Sequence, residues 1–150
     1  MTENNDWQAW CDGCARPNPG QIGLGARLLA PDGSEHRLSQ RSAHCGCNNE
    51  AEGRALLATL QLAHGLGARR LHVFCDSDVV VRLARDASIQ EASRLSPLFE
   101  EIRASMAGFT SIELCWLPQH RNTAADELAR AALGLPPRAP VKKTRKRHGR

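Results

Sequence analysis

The order in which strand-like and helix-like patterns follow one another constrains the fold of this chain more than any single motif. Period-two alternation predicts strands over residues 7–13, 22–30 and 35–46. The turn sequences "PNPG" and "PDGS" separate these strands, because Pro presets φ and Gly accepts positive φ. Two tight turns between three strands predict an antiparallel meander.

Beyond the meander, helices and strands alternate. Residues 48–67 carry an apolar stripe at helical spacing, and Asn48 or Asn49 is positioned to cap this helix. Two further strands are predicted over 70–76 and 111–117, and three further helices over 77–87, 96–108 and 123–134. A strand–helix–strand crossover is right-handed and returns parallel. We therefore expect an α/β fold in which helices flank a mixed sheet of five strands.

Composition indicates one globular domain followed by a basic end. The chain has 150 residues, of which 41% are hydrophobic, which is enough for one core. Seven of its 20 Lys and Arg and none of its 16 Asp and Glu follow residue 135, which leaves 13 basic against 16 acidic residues before it, a net charge of −3. We assign residues 1–135 to one globular domain and residues 136–150 to a basic, disordered tail.

No membrane or secretion signal is recognisable. No apolar run approaches the roughly 20 residues that cross a bilayer, and the first ten residues lack a basic segment followed by an apolar one. We therefore expect a cytoplasmic protein with no membrane partner. We also expect it to be a monomer.

Six cysteines are expected to be reduced thiols in that compartment. Cys75 and Cys115 lie inside apolar runs and are predicted to belong to the core. Zinc binding is the alternative for the other four, because two pairs of thiols can supply a tetrahedral site. Strand alternation disfavours it by sending two of these thiols to opposite faces. The four are Cys11, Cys14, Cys45 and Cys47.

Four carboxylates stand where predicted elements begin or end. Asp12 and Asp76 close two strands that should be parallel neighbours, so both are expected at one sheet edge. Glu52 opens the inward stripe of the long helix, and Asp126 lies in the first turn of the last one. Each alone has an ordinary explanation as a turn or helix-terminal acid. Together they repel one another unless divalent cations cancel the charge, and all-oxygen ligation suits Mg²⁺ or Mn²⁺.

The chain resembles the type 1 ribonuclease H (RNase HI) family in four motifs over residues 7–134. They run in the family's order as "CDGCARPNPGQIGLGA", "NNEAEGRALLATL", "FCDSDVVV" and "WLPQHRNTAADELARAA". The resemblance implies a ribonuclease H-like fold with sheet order 3-2-1-4-5. It also implies endonucleolytic cleavage of the RNA strand of an RNA–DNA hybrid by two Mg²⁺ ions, with Mn²⁺ as a substitute, leaving 3′-hydroxyl and 5′-phosphate ends.

The same resemblance implies catalytic roles for individual residues. Asp12 would be the ligand shared by both ions. Asp76 would complete the ion that activates water, and Glu52 with Asp126 would hold the other one. His120, on the loop before the last helix, would assist proton transfer or product release. The alternative for this histidine is a solvated loop side chain without a role in the reaction.

A second group of residues is implied to contact the hybrid. Amides donate to phosphate oxygens and to base-edge acceptors, and contacts to the 2′-hydroxyl distinguish RNA from DNA. Turn formation and helix capping are the alternatives for the asparagines. The implied contacts are Gly13, Cys14, Asn18, Asn48, Asn49 and Asn122, the last of which would orient the site.

Two features depart from the family pattern. "SIQEASRL" over 88–95 joins two helices directly, so this is a short form without the basic protrusion of many relatives. Cys47 stands where a hydroxyl residue often binds a phosphate. The basic tail is a candidate substitute that would contact backbone phosphates, the alternative being a solvated end. A non-catalytic or differently targeted nucleic-acid-binding protein of the same fold is the alternative function, which the four filled carboxylate positions disfavour.

Overall fold

A computed structural model describes residues 4–87 and 93–139 of the chain. Within these ranges it contains five strands and four helices, joined by turns and two short 3₁₀ segments. The strands are β1 (Asp6–Arg16), β2 (Gly20–Leu29), β3 (Glu35–Gly46), β4 (Arg70–Cys75) and β5 (Ser111–Trp116). The helices are α1 (Asn48–Gly65), α2 (Asp78–Arg85), α3 (Ser96–Met106) and α4 (Thr123–Ala132).

The five strands form one mixed sheet in the order β3-β2-β1-β4-β5, which confirms the predicted architecture. β1, β2 and β3 pair antiparallel as a meander. β4 pairs parallel with β1, and β5 pairs parallel with β4. Because α1 returns the chain to the β1 side of the meander, the carboxyl ends of β1 and β4 point the same way.

The sheet separates two layers of helices. Apolar side chains of β1, β2 and β4 pack with α1, α2 and α3 in the main core, which includes Leu28, Leu60, Val73 and Ile102. The opposite face of β1, β2 and β3 is covered by α4. Alternate residues of β1 and β2 are therefore buried under helices on opposite faces of the sheet, as the period-two pattern requires.

Glycines let two helices approach the sheet closely. A Cβ atom on Gly13 would lie 2.1 Å from the carbonyl oxygen of Ala51 in α1, and one on Gly25 would lie 2.3 Å from that of Ala125 in α4. No side chain larger than hydrogen fits at such distances. The two glycines thereby set the height above the sheet of the helices that carry Glu52 and Asp126.

We expect Gly25→Ala to lower the free energy of unfolding by about 1–3 kcal/mol, because α4 must move away from the sheet to admit the methyl group. Gly65→Ala is the matched control. A Cβ there meets no atom within 4 Å, so the change should be neutral or stabilising by up to about 1 kcal/mol. Urea denaturation of both variants measures the difference, and equal effects would contradict the close-approach argument.

Strand β1 is longer than predicted. Its pairing with β4 stops at Cys11 and Cys75, whereas its pairing with β2 continues to Arg16. Asp12 therefore lies inside β1 and not at its end, which corrects the prediction. Pairing with β2 keeps β1 extended beyond the end of β4. The edge of β1 that faces β4 therefore has no strand partner from Asp12 onward.

Two local predictions are wrong. Neither Asn48 nor Asn49 caps α1, because Cys47 is the N-cap and makes no side-chain capping bond. The backbone N–H of Asn48 donates instead to Asn18 Oδ1 at 3.0 Å, so the turn after β1 supplies the acceptor. Cys115 is only half-buried and does not belong to the main core.

Some predictions fall outside the described residues. These are residues 88–92 of the short linker and residues 140–150 of the basic tail. The domain boundary at residue 135 stays a prediction. Among the residues that are described, no helix has the length and apolar character needed to cross a bilayer.

Candidate active site

Three of the four predicted carboxylates meet beyond the end of β4. Ligand oxygens of Asp12, Glu52 and Asp76 all lie within 4.8 Å of one another. β1 positions Asp12, the first turns of α1 position Glu52, and Asp76 follows β4 directly. In the described part of the chain, no other group of three or more His, Cys, Asp or Glu side chains has this spacing.

Burial and mutual repulsion disfavour the ionised forms of these acids. Burial raises the pKa of Asp12 to about 7, against a hydrogen bond with Glu52 that lowers it, and the charge of Asp76 raises it further. Burial and then the charge of Asp12 hold the pKa of Glu52 well above its usual range. Burial also raises the pKa of Asp76. A bound cation would reverse these shifts, because it favours the charged carboxylates.

Asp126 lies beside this group but has a different partner. It is in the first turn of α4 and is only 4% exposed. Its charge contributes to the raised pKa values of Asp12 and Asp76. Arg138 Nε donates to both of its carboxylate oxygens, at 3.2 Å for Oδ1 and 3.0 Å for Oδ2. The structure therefore brings all four acids to one place, with one of them paired to an arginine.

Asn122 joins the last loop to the sheet and to the acids. Its Nδ2 donates to the carbonyl oxygen of Cys11 at 2.9 Å and to Asp76 Oδ2 at 3.2 Å. The residue is 1% exposed, and its Oδ1 is buried without a hydrogen-bond partner among the described residues. The amide thus ties Asp76 to β1, and a polar acceptor remains available next to the acids.

We expect Asn122→Ala to lower the free energy of unfolding by about 1–3 kcal/mol, since it leaves the buried Cys11 carbonyl without its side-chain donor. Urea denaturation measures the loss. Asn49→Ala is the control, because this asparagine is exposed on α1 and should change stability by less than about 0.5 kcal/mol. A loss at Asn122 no larger than at Asn49 would contradict this role.

A groove of about 480 Å³ runs from the acids toward the turn after β1. Asn18 and Asn48 line it and are joined, since Asn18 Oδ1 accepts from the Asn48 backbone and Asn48 Oδ1 accepts from the Ala15 N–H at 3.1 Å. Both bonds use the amide oxygens. The NH₂ groups of Asn18 and Asn48 have no hydrogen-bond partner in the described part of the chain. Gly13 and Cys14 line the same groove, whereas Asn49 is exposed and outside its lining.

His120 lies on the other side of Asp126. It is exposed in the 3₁₀ segment Gln119–Arg121, and it lines a cavity of about 310 Å³ together with Asp126 and Arg138. The structure thus places this loop histidine next to the acids, although no hydrogen bond within the described residues holds it there.

The four cysteines weighed as zinc ligands are dispersed. Cys11 is buried, with its Sγ 3.1 Å from Cys75 Sγ beneath the acids. Cys14 faces the groove, Cys45 is exposed, and Cys47 Sγ accepts from Arg94 at 3.4 Å. Their sulfur atoms form no group with metal-ligand spacing among the described residues.

Sequence reasoning missed Arg138, Arg16 and Gln119 as residues of this site. All three line the groove. The predicted basic tail includes Arg138. The sequence signal that could have placed this arginine at the site is Gly134, which follows α4. Gly134 has φ of 74°, and such a residue commonly reverses a chain at a helix end.

Known proteins resemble this chain in sequence over most of its length. The reverse transcriptase-like family profile matches residues 10–132. The bifunctional protein Rv2228c of Mycobacterium tuberculosis is 36% identical over 123 residues, which cover 81% of this chain and 34% of that protein. The chain therefore spans about a third of the length of the mycobacterial relatives it matches.

Solved structures resemble it in fold. The RNase H1 of the halophilic archaeon Halobacterium salinarum NRC-1 has a TM-score of 0.80 and 28% identity, over 86% of this chain and 98% of that one. LC11-RNase H1, solved in complex with an RNA/DNA hybrid, has a TM-score of 0.76 and 26% identity, over 85% and 96% of the two chains. Because the family profile matches residues 10–132 and these solved structures share the fold, the chain belongs to the reverse transcriptase-like family of ribonuclease H domains.

Proposed function

We propose that this chain is a metal-dependent endonuclease that cleaves the RNA strand of RNA–DNA hybrids. The observation that carries the proposal is the meeting of Asp12, Glu52 and Asp76 within 4.8 Å, next to a groove open to solvent. Family membership and the hybrid bound by LC11-RNase H1 support the choice of substrate.

The donor set fits hard divalent cations. All four acids offer oxygen, and the Asn122 Oδ1 beside them lacks a partner among the described residues. Burial and then the charges of neighbouring acids raise the pKa values of Asp12, Glu52 and Asp76. Asp12, Glu52, Asp76 and Asp126 would hold two Mg²⁺ ions, or Mn²⁺ in their place. Bound there, the ions would supply an activated water and would stabilise the leaving 3′ oxygen, which gives 3′-hydroxyl and 5′-phosphate ends.

The chain's own residues would position the hybrid. The free NH₂ groups of Asn18 and Asn48 point to phosphate or base-edge contacts in the groove, and Asn49 would extend this surface on α1. Gly13 and Cys14 directly follow Asp12 and line the same groove. Their backbone groups would therefore contact the 2′-hydroxyl of the ribose beside the scissile bond. Asn122 would hold Asp76 in place, and His120 would move a proton near Asp126.

One set of reactions tests the proposal. Purified protein is incubated with end-labelled RNA–DNA hybrid, duplex RNA, duplex DNA and each single strand, in Mg²⁺, Mn²⁺ or a chelator. We expect cleavage of the RNA strand of the hybrid alone, only with a divalent ion, and ends that a ligase or phosphatase assay identifies as 3′-hydroxyl and 5′-phosphate. An intact hybrid under every condition, with a folded protein, would contradict it.

A further inference from the structure

The segment after α4 folds back along that helix. Leu135 N–H donates to the Arg130 carbonyl at 2.9 Å, and Arg130 Nε donates to the Pro136 carbonyl at 2.8 Å. The returning segment is long enough to reach the start of α4. Three extended residues from Leu135 to Arg138 span roughly 10 Å, and the seven residue steps along the helix from Asp126 to Leu133 span the same distance. The reversal therefore carries Arg138 back to the first turn of α4.

At that turn, Arg138 occupies the oxygens that a metal ion would need. Its Nε contacts both oxygens of Asp126, whose side chain is 5% exposed, while the arginine itself is 48% exposed. Arg138 also lines the groove that holds Asp12 and Glu52. Among the described residues, it is the only cationic side chain that pairs with any of the four acids.

The arginine offsets part of the repulsion in the cluster. Burial raises the pKa of Asp76, and the charge of Arg138 lowers it by a smaller amount. The same arginine forms the ion pair with Asp126. Asp126 is also the one acid outside the group of three whose oxygens lie within 4.8 Å of one another. A guanidinium held against both oxygens of a carboxylate takes up part of their lone-pair capacity and repels a cation that approaches the same oxygens.

We propose that Arg138 is an exchangeable counter-ion of the metal site, so that its guanidinium and a divalent cation compete for Asp126. The metal-free protein is stabilised by the arginine, and loading of the site releases the segment 135–139 from the acids. The contact is autoinhibitory, because it raises the concentration of divalent ion at which the site fills. This inference rests on the proposed metal-dependent function.

Calorimetric titration of the full chain with Mg²⁺ and with Mn²⁺ tests the competition. Arg138→Gln should bind the ion about twofold to fivefold more tightly than the unsubstituted protein, which corresponds to about 0.5–1 kcal/mol for the ion pair that the cation no longer has to displace. Arg138→Lys, which keeps the charge but replaces the planar guanidinium, should lie between them. Arg37→Gln is the control, because it removes one charge from an exposed pair with Glu35 on β3 and should leave the affinity unchanged.

Thermal unfolding supplies a second readout. In a chelator, Arg138→Gln should unfold a few degrees below the unsubstituted protein, and saturating Mg²⁺ should remove that difference. In the unsubstituted protein, the Arg138 Nε–H resonance should shift in proportion to the Mg²⁺ bound, which requires no variant to fold.

The outcomes separate this inference from the proposed function. The proposed competition is wrong if Arg138→Gln binds the metal ion with equal or weaker affinity than the unsubstituted protein. It is also wrong if the Arg138 Nε–H resonance does not shift on addition of Mg²⁺. Neither result would contradict the metal site itself. Failure of the unsubstituted protein to bind either ion would overturn the metal site, and the competition with it.

Discussion

Asp12→Asn is expected to lower hybrid cleavage by about 10³-fold or more while the protein stays folded. Asp12 lies at the centre of the cluster, with both Glu52 and Asp76 in its immediate surroundings. The substitution removes a negative charge that the cations need but keeps the shape of the side chain. Single-turnover cleavage of an end-labelled hybrid measures the loss, and circular dichroism checks the fold.

Asp78→Asn is the matched control for this experiment. Asp78 is exposed in α2 and pairs with Arg82 across one helical turn at 3.1 Å. Loss of such a pair should change stability by less than about 0.5 kcal/mol and leave cleavage within about twofold. Metal-dependent cleavage that persists in Asp12→Asn at the level of Asp78→Asn would refute the assignment of the site.

Without divalent ions, the free energy of unfolding should fall by on the order of 4 kcal/mol as the pH rises from about 4 to about 7. The pKa of Asp12 is raised from 3.8 to about 7 in the folded protein. Between these values the folded state holds a proton that the unfolded state has lost, so raising the pH favours unfolding. Urea denaturation from pH 4 to pH 8 in a chelator measures the slope.

Two comparisons isolate the contribution of the cluster to this profile. Asp12→Asn should flatten the decrease, since the amide does not titrate, and should be more stable than the unsubstituted protein at pH 8. Saturating Mg²⁺ at pH 8 should restore stability to the unsubstituted protein. A profile with the same slope in both proteins would mean that the decrease originates elsewhere.

Periodicity was sufficient to predict the strands and helices and their order along the chain, whereas the full sheet order was implied by the family resemblance. The reason is physical: a strand that separates two helical layers must alternate, and α1 must present one apolar stripe to it, here including Leu56 and Leu60. Boundaries were less accurate. The end of β1 was placed at Gly13, since sequence carries no record of which neighbouring strand continues to pair.

The placement of Asp12 and Asp76 at one sheet edge also followed from sequence, because a right-handed crossover makes their strands parallel neighbours. The inward position of Glu52 followed from helical spacing. These are local rules, in which each side chain's direction depends on its own element.

Contacts between elements distant in sequence were decided only by the tertiary structure. Asn122 bridges Asp76 and the Cys11 carbonyl, Asn18 caps α1 from another turn, and Arg138 folds back onto Asp126. No periodicity encodes such pairs, because the partners belong to different elements and meet through packing heights set by residues such as Gly25. The sequence by itself determined the strands, the helices and the acids' common edge, whereas the partner of each acid depended on how the finished layers pack.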